Sequence, residues 1–286
     1  MSPFLQQAFA NTWFHIKLFA VIILVGLLLE RLRPAERAQP LTDIGFNLIY
    51  IPIVLLLNEL LLPPLVALTA PWIRDFGFSI PVHLPDGVGW QLLQALAYFA
   101  IYDFFYYWFH RAQHVVPVLW AQHKLHHSEI SLNVSTNMRH HWLESPFRVF
   151  LVALPIGVLF DQKPVTVAWI ANVAVLWSFF IHMNVRLRLG LLTGVFAGPQ
   201  VHRIHHSIER EHTDRNFAAY LPIFDIVFRT WVRPGRDTWP ATGLHDGERM
   251  NRLDRALLSP FGEWWRMLRR NGSKHSPQRT IEPPPK

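Results

Sequence analysis

The sequence predicts an all-α integral membrane protein whose transmembrane helices or helical hairpin arms carry a histidine-rich helical cap on the cytoplasmic side. Three observations predict it. Hydrophobic residues make up 51% of the 286 positions and gather in long runs. Cysteine is absent, so a disulfide framework or thiolate metal site is excluded and any metal ligands must be histidine or oxygen groups. Histidines recur at helical spacing in His110-Arg-Ala-Gln-His114, His123-Lys-Leu-His126-His127 and His202-Arg-Ile-His205-His206. Residues three and four apart share a helix face, so each cluster aims its imidazoles one way.

Taken in order, Trp13 to Leu29 is the first apolar run, at ~17 residues the short end of a membrane helix. No basic segment precedes it and no small-residue cleavage pattern follows, which argues against a secretory signal. Ile44 to Leu68 holds Pro52, Asn58, Glu59 and Pro63-Pro64, a pattern that predicts a kinked or broken helix. Trp90 to Phe109 is aromatic and leads into His110. Phe147 to Phe160 and Val165 to Ile181, parted by Asp161-Gln-Lys-Pro164, read as a hairpin that enters and returns to one side. Arg252 to Arg270 mixes arginines with Leu253, Leu257, Leu258, Trp264, Trp265 and Leu268, which predicts an interfacial helix. The Pro283-Pro284-Pro285 tail, from Gly272 onward, reads as disordered. The resulting division is 1–89 for the N-terminal membrane helices, 90–235 for the histidine-bearing domain, and 236–286 for the amphipathic segment and tail.

Orientation follows from charge. Arg31, Arg33 and Arg37 place the end of the first helix in the cytoplasm, and the loop from Ala70 to Gly89, with Arg74 alone, outside. All three clusters, with His140-His141 and His182, then fall on the cytoplasmic face of a multi-pass protein. A formal charge of +7 with pI near 10 does not form a stripe with interleaved aromatics, so anionic headgroups rather than nucleic acid are the expected partner. Eight clustered histidines exceed the needs of one ion, and a dinuclear centre is expected.

The spaced motifs carry a resemblance. The chain resembles the fatty acid hydroxylase and sterol desaturase superfamily of membrane di-iron, histidine-box oxidases. The matching residues are His110 and His114; His123, His126 and His127; Phe180-Ile-His182-Met-Asn184; Pro199 to His206; Asp214-Arg-Asn216-Phe217; and Asp225-Ile-Val-Phe228-Arg-Thr230. The resemblance covers roughly Asp103 to Trp231. Two departures are Arg139-His140-His141-Trp142-Leu143-Glu144, with tryptophan where the family has proline, and Phe217-Ala218-Ala219, where the family has glycine. The resemblance implies two Fe ions, replaceable by zinc on purification, held by His110, His114, His123, His126, His127, His141, His182, His202, His205 and His206. His140, which neighbours His141 and points away from it, and His212 are weaker candidates. It also implies an oxygen-dependent hydroxylase or desaturase acting on a membrane lipid or sterol-like substrate. Electrons would come from an external donor such as a cytochrome b5-like protein, a ferredoxin or a reductase.

Carboxylates that receive the second ring N–H of each ligand fix its tautomer. Glu144, Asp214 and Asp103 are the candidates, with ion pairs to Arg139, Arg203 or Arg215 as the structural alternative. The aromatic run from Tyr98 to Phe109 reads as an interface belt, with a substrate channel as its alternative. His15, His83, His245 and His275 lie outside every cluster. A metal transporter would place ligands near the bilayer midplane, and a zinc-dependent membrane hydrolase would want His-Glu-x-x-His, which does not occur.

Overall fold

Two long apolar helices form an outer wall of the computed structural model, which describes residues 1–76, 80–81, 85, 87–161 and 164–272. Helix α1 spans Pro3–Glu30 and starts where the Ser2 side chain accepts the Leu5 N–H, with proline in the first turn. Helix α2 spans Leu41–Asp75 and stays helical through Pro52, Pro63, Pro64 and Pro71, so the break expected within it does not occur. Among the described residues, these two helices are long and apolar enough to cross a membrane. Only 22% and 17% of their most apolar windows are buried, which separates them from core helices of a soluble domain. Trp13, Phe14, Leu24, Leu28 and Ile49 point outward, as lipid-facing side chains do.

The remaining elements gather the histidines. Helix α3 (Val88–Val115) passes through one residue to α4 (Pro117–His127), whose first-turn proline suits an N-terminus. The first of the two segments expected to form a hairpin is α5 (Glu144–Arg148), a π-helical turn over Val149–Ala153, and α6 (Leu154–Leu159). The second is α7 (Pro164–His182). Between them Phe160–Asp161 pairs in parallel with Ile80–Pro81, a two-residue ladder that the all-helical expectation omitted. Short helices α8 (Pro199–His205) and α9 (Ile223–Val227) follow, and α10 spans Leu253–Gly272. His83, His275 and the tail from 273 onward lie outside the described residues.

Packing ties the wall to the cap. Phe19 and Ile23 of α1, Ile51 and Leu55 of α2, Phe179 of α7, and Val134 from the segment after α4 form one core cluster. Gly26 lets α1 approach closely, since a Cβ there would meet Val134 Cγ2 at 2.7 Å. Glu30, buried at the end of α1, accepts the Val134 N–H at 2.7 Å and the Asn184 N–H at 3.0 Å, joining three separate segments. Helix α10 packs on α4: Ala256 enters a cluster with Phe46, Tyr50, Val54, Leu125 and Met250, and the Trp264 indole donates to the Val118 carbonyl at 2.9 Å. Its other face exposes Leu258, Phe261, Trp265 and Leu268, the apolar ridge an interfacial helix requires.

Glu30→Leu leaves two buried N–H donors unpaired. At about 1–3 kcal/mol per orphaned group, the variant should unfold at a clearly lower temperature than wild type in the same detergent. An unchanged melting temperature would show that the junction is not stabilising.

Candidate metal centre

Nine histidines from four helices and their flanks meet in one buried region. The donor atoms of His110, His114, His123, His127 and His205 all lie within 4.8 Å of one another, as do those of His126, His182, His202 and His206. Adjacent positions in a cluster serve different groups: His126 and His127 diverge, as do His205 and His206. This is what a His-x-x-His-His helix end can do and a lone His-x-x-His cannot, because neighbouring residues point about 100° apart.

Ring orientation is set from outside the cluster. His110 Nδ1 faces the Phe217 carbonyl at 2.7 Å, His182 Nδ1 the Ser178 carbonyl at 2.6 Å, and His205 Nδ1 the Arg215 carbonyl at 2.8 Å. A carbonyl only accepts, so each Nδ1 carries the proton and each Nε2 is a bare lone pair. His123 Nδ1 lies 3.2 Å from Glu144 Oε2, which fixes it the same way. Yet His110 Nε2 lies 3.2 Å from His123 Nε2, two lone pairs facing each other. In the second group His182 Nε2 is 2.9 Å from His202 Nε2 and 3.2 Å from His126 Nε2, and His202 is 3.1 Å from His206. Adjacent nitrogens on one first-row ion, each at about 2.1 Å, stand roughly 3 Å apart. The donor set therefore fits two cations.

Burial reinforces the neutral state. For His126, His127, His205 and His206, desolvation first and the neighbouring rings second hold the imidazoles well below the usual histidine range. Burial would raise the Glu144 carboxyl, but His140 and His123 more than offset it and hold it well below the carboxylate range.

The expected residues divide as follows. His110, His114, His123, His126, His127, His182, His202, His205 and His206 fall in the two groups. His141 does not. Its Nε2 faces the Leu257 carbonyl at 3.0 Å and its Nδ1 accepts the Leu143 N–H. His140 takes the inward position instead, stacked on His126 at 4.1 Å with Nδ1 3.0 Å from Glu144. The turn at Trp142, where the family pattern has proline, gives a physical reason for the swap: the indole also donates to Leu257, drawing 141–142 toward α10.

Among the carboxylates, Glu144 bridges His123 and His140, and Asp214 meets His114 Nδ1 at 3.2 Å. Neither pairs with an arginine. Arg139 is instead fully buried against Glu129, the Leu125 carbonyl and Ser128, bracing the end of α4. Asp103 touches no histidine. It accepts the N–H groups of Ala219, Tyr220 and Leu221, while Asp225 accepts those of Phe217 and Ala218. The two acids clamp the segment whose Phe217 carbonyl orients His110. Asp214 and Asn216 both adopt positive φ there, a conformation Asp and Asn tolerate. His212 holds Ser207 and stays outside both groups.

Two cavities reach the centre. One of about 490 Å³ touches His110, His126, His182 and His202 and extends past Tyr98, Phe99, Tyr102, Tyr106 and Tyr220 toward His15, Asn58 and Glu59. These aromatic residues line a cavity rather than only a belt, while Phe104 and Trp108 face outward. The cavity involves α1 and α2 as well as α3 and the hairpin. His15, set aside in the sequence for want of a cluster, pairs with Glu59 from the next helix. A second cavity of about 370 Å³ meets His114, His127 and His205 from the other side, and His245 stands in its wall, bonded to Thr213.

Residues 95–230 match the family described as fatty acid hydroxylase. The chain belongs to the fatty acid hydroxylase and sterol desaturase superfamily. It is similar to the alkylglycerol monooxygenase of Homo sapiens, at 30% identity over 220 residues that cover 77% of this chain and 46% of that protein. It is also similar to ornithine lipid hydroxylase OlsE of Rhizobium tropici, at 27% identity covering 81% and 71% of the two chains. A third relative is the very-long-chain aldehyde decarbonylase CER1 of Arabidopsis thaliana, at 26% identity covering 53% and 25%. The chain thus spans less than half the length of the alkylglycerol monooxygenases it matches. No solved structure matches it.

The neutral imidazoles give a pH prediction for metal-free protein prepared by chelation. Burial, opposed by the Leu257 carbonyl, lowers His141 from the ordinary 6.5 to about 4, and the cluster rings shift the same way. As pH falls below 6.5 the unfolded chain binds protons first, so stability drops through that window by up to about 1.4 kcal/mol per group per pH unit. Glu144 stays ionised meanwhile. The melting temperature should fall steadily from pH 7 to 5, and a flat profile would contradict neutral burial.

Proposed function

We propose that this chain is an oxygen-dependent di-iron oxidoreductase of the membrane that hydroxylates a lipid. The observation that carries the reading is the convergence of imidazole nitrogens in two groups at the end of a cavity walled by apolar helices. His110, His114, His123, His127 and His205 would hold one iron, and His126, His182, His202 and His206 the other. Bound iron supplies the oxidising power toward an unactivated C–H bond that acid–base side chains lack. In the overall reaction one oxygen atom enters the C–H bond and the other leaves as water, with two electrons and two protons from an external donor.

The chain's own residues do the rest. Carbonyls of Phe217, Ser178 and Arg215 and the Glu144 carboxylate keep Nε2 bare, so the ligands need no reorganisation on loading. Glu144 remains anionic, offsetting part of the charge of two cations in a dry site. Tyr102, Tyr106 and Tyr220 exclude bulk water from the cavity and shape the space for a chain. The relatives' names, a monooxygenase and a lipid hydroxylase, support oxygen insertion over desaturation.

The arginines after α1 support a topology in which the histidine cap faces the cytoplasm and the two arms re-enter from that side. That placement puts the second cavity on the side from which a soluble electron donor approaches.

Metal analysis of variants tests the assignment. His126→Ala and His205→Ala should each lose at least one iron per chain and all activity, whereas His141→Ala should keep both irons. Full activity in either of the first two, or metal loss in the third, would overturn the ligand set.

A further inference from the structure

Three charged side chains other than histidine line the larger cavity: Glu59, Glu144 and Arg148. The two acids are occupied. Glu59 accepts from Asn11 at 3.0 Å and meets His15 at 3.2 Å, and Glu144 lies between His123 and His140. Arg148 has no hydrogen bond or ion pair among the described residues. Tyr102, Tyr106 and Tyr220 line the cavity with it and are its electrostatic neighbours, and Glu144 stands outside salt-bridge range. A guanidinium keeps its charge in any protein environment and presents five donors in a fork suited to carboxylate or phosphate. Leaving such a cation unpaired beside an apolar cavity is costly, and the natural compensation is an anion brought by the ligand.

Position gives the group its meaning. Arg148 and Glu144 are the two ends of α5, four residues apart, so Arg148 lies about 6 Å further along the cavity wall than the carboxylate that orients His123. An anionic group held by Arg148 is therefore close to the histidines. The chain attached to it has room past Phe19, Leu55 and Val175.

We propose that Arg148 binds the carboxylate or phosphate of an anionic amphiphile, so that the substrate is an acidic lipid oxidised within a few bonds of its charged group rather than at the far end of its chain. This inference deepens the lipid-oxidase reading and rests on it for the word substrate, but the binding claim stands apart from turnover. The hydroxyls of Tyr102 and Tyr106, for which no hydrogen-bond partner is described, are further donors for the same anion.

The test uses the full chain in a neutral detergent with three probes of equal acyl length: oleate, 1-oleoyl lysophosphatidic acid and 1-monoolein. Equilibrium dialysis should show at least one of the two anionic probes binding about tenfold or more tighter than monoolein, and which one does so separates carboxylate from phosphate recognition. Arg148→Gln should remove the preference while leaving monoolein affinity, metal content and melting temperature unchanged. Arg148→Lys should restore part of it. Equal affinity of wild type for all three probes, or a preference that survives Arg148→Gln, would overturn the proposal; the wild-type comparison decides even if a variant fails to fold. An anion preference without oxygen uptake would sink only the oxidase reading, and oxygen uptake without the preference only this one.

Discussion

Everything else in the structure depends on keeping a set of imidazole lone pairs pointed at one another in a place water does not reach. Two bare Nε2 atoms at about 3 Å repel, as at His110 and His123, and nine imidazoles in one buried region would not hold their positions on packing alone. Each is pinned from behind by a carbonyl or carboxylate, or wedged against a neighbouring ring. The cap has little regular secondary structure between 128 and 143 or between 206 and 222 because those segments serve to place acceptors. Buried Arg139, Glu129, Asn47 and Asn133 brace the first of these segments, and Asp103, Asp225 and Asn216 the second.

The membrane wall and the cap meet this constraint differently. Helices α1 and α2 turn most of their surface outward and contribute to the centre through a few polar contacts, such as Glu30 to the 134 segment and the Tyr50 hydroxyl to the His140 carbonyl. In these contacts the side chain of a long helix satisfies a backbone group of the cap, a donor at Val134 and an acceptor at His140. The cavity between wall and cap follows from the same division: side chains of α1, α2 and α3 and of the segments 137–148 and 171–182 enclose about 490 Å³ beside the histidines.

Much of this was legible in the sequence, and the failures have physical causes. Period alone located the histidine clusters, and the order of the motifs identified the superfamily, because helix ends bearing three imidazoles have few other uses. That the clusters divide between two groups could not be read from spacing, since the split depends on which side of each helix faces which. His140 and His141 could not be told apart for the same reason: one backbone turn at Trp142 decides which ring points inward, and the bond that turns it comes from Leu257, more than a hundred residues away. Asp103 was visible as an acid near His110 that could receive a ring N–H, but its partners are backbone groups that no pattern shows. Pro52, Pro63 and Pro64 suggested a kink or a break in α2, and the helix continues through them unbroken. Arg148 drew no notice because its significance lies in what fails to pair with it.

The central claim is that the lone-pair cluster exists to hold two irons for oxygen chemistry. Protein purified in detergent, stripped of metal and reloaded anaerobically with ferrous iron tests it most directly. The account predicts about two irons per chain and oxygen uptake that depends on added reductant. Failure to retain iron, with tight zinc binding and no oxygen uptake under any reductant, would contradict it.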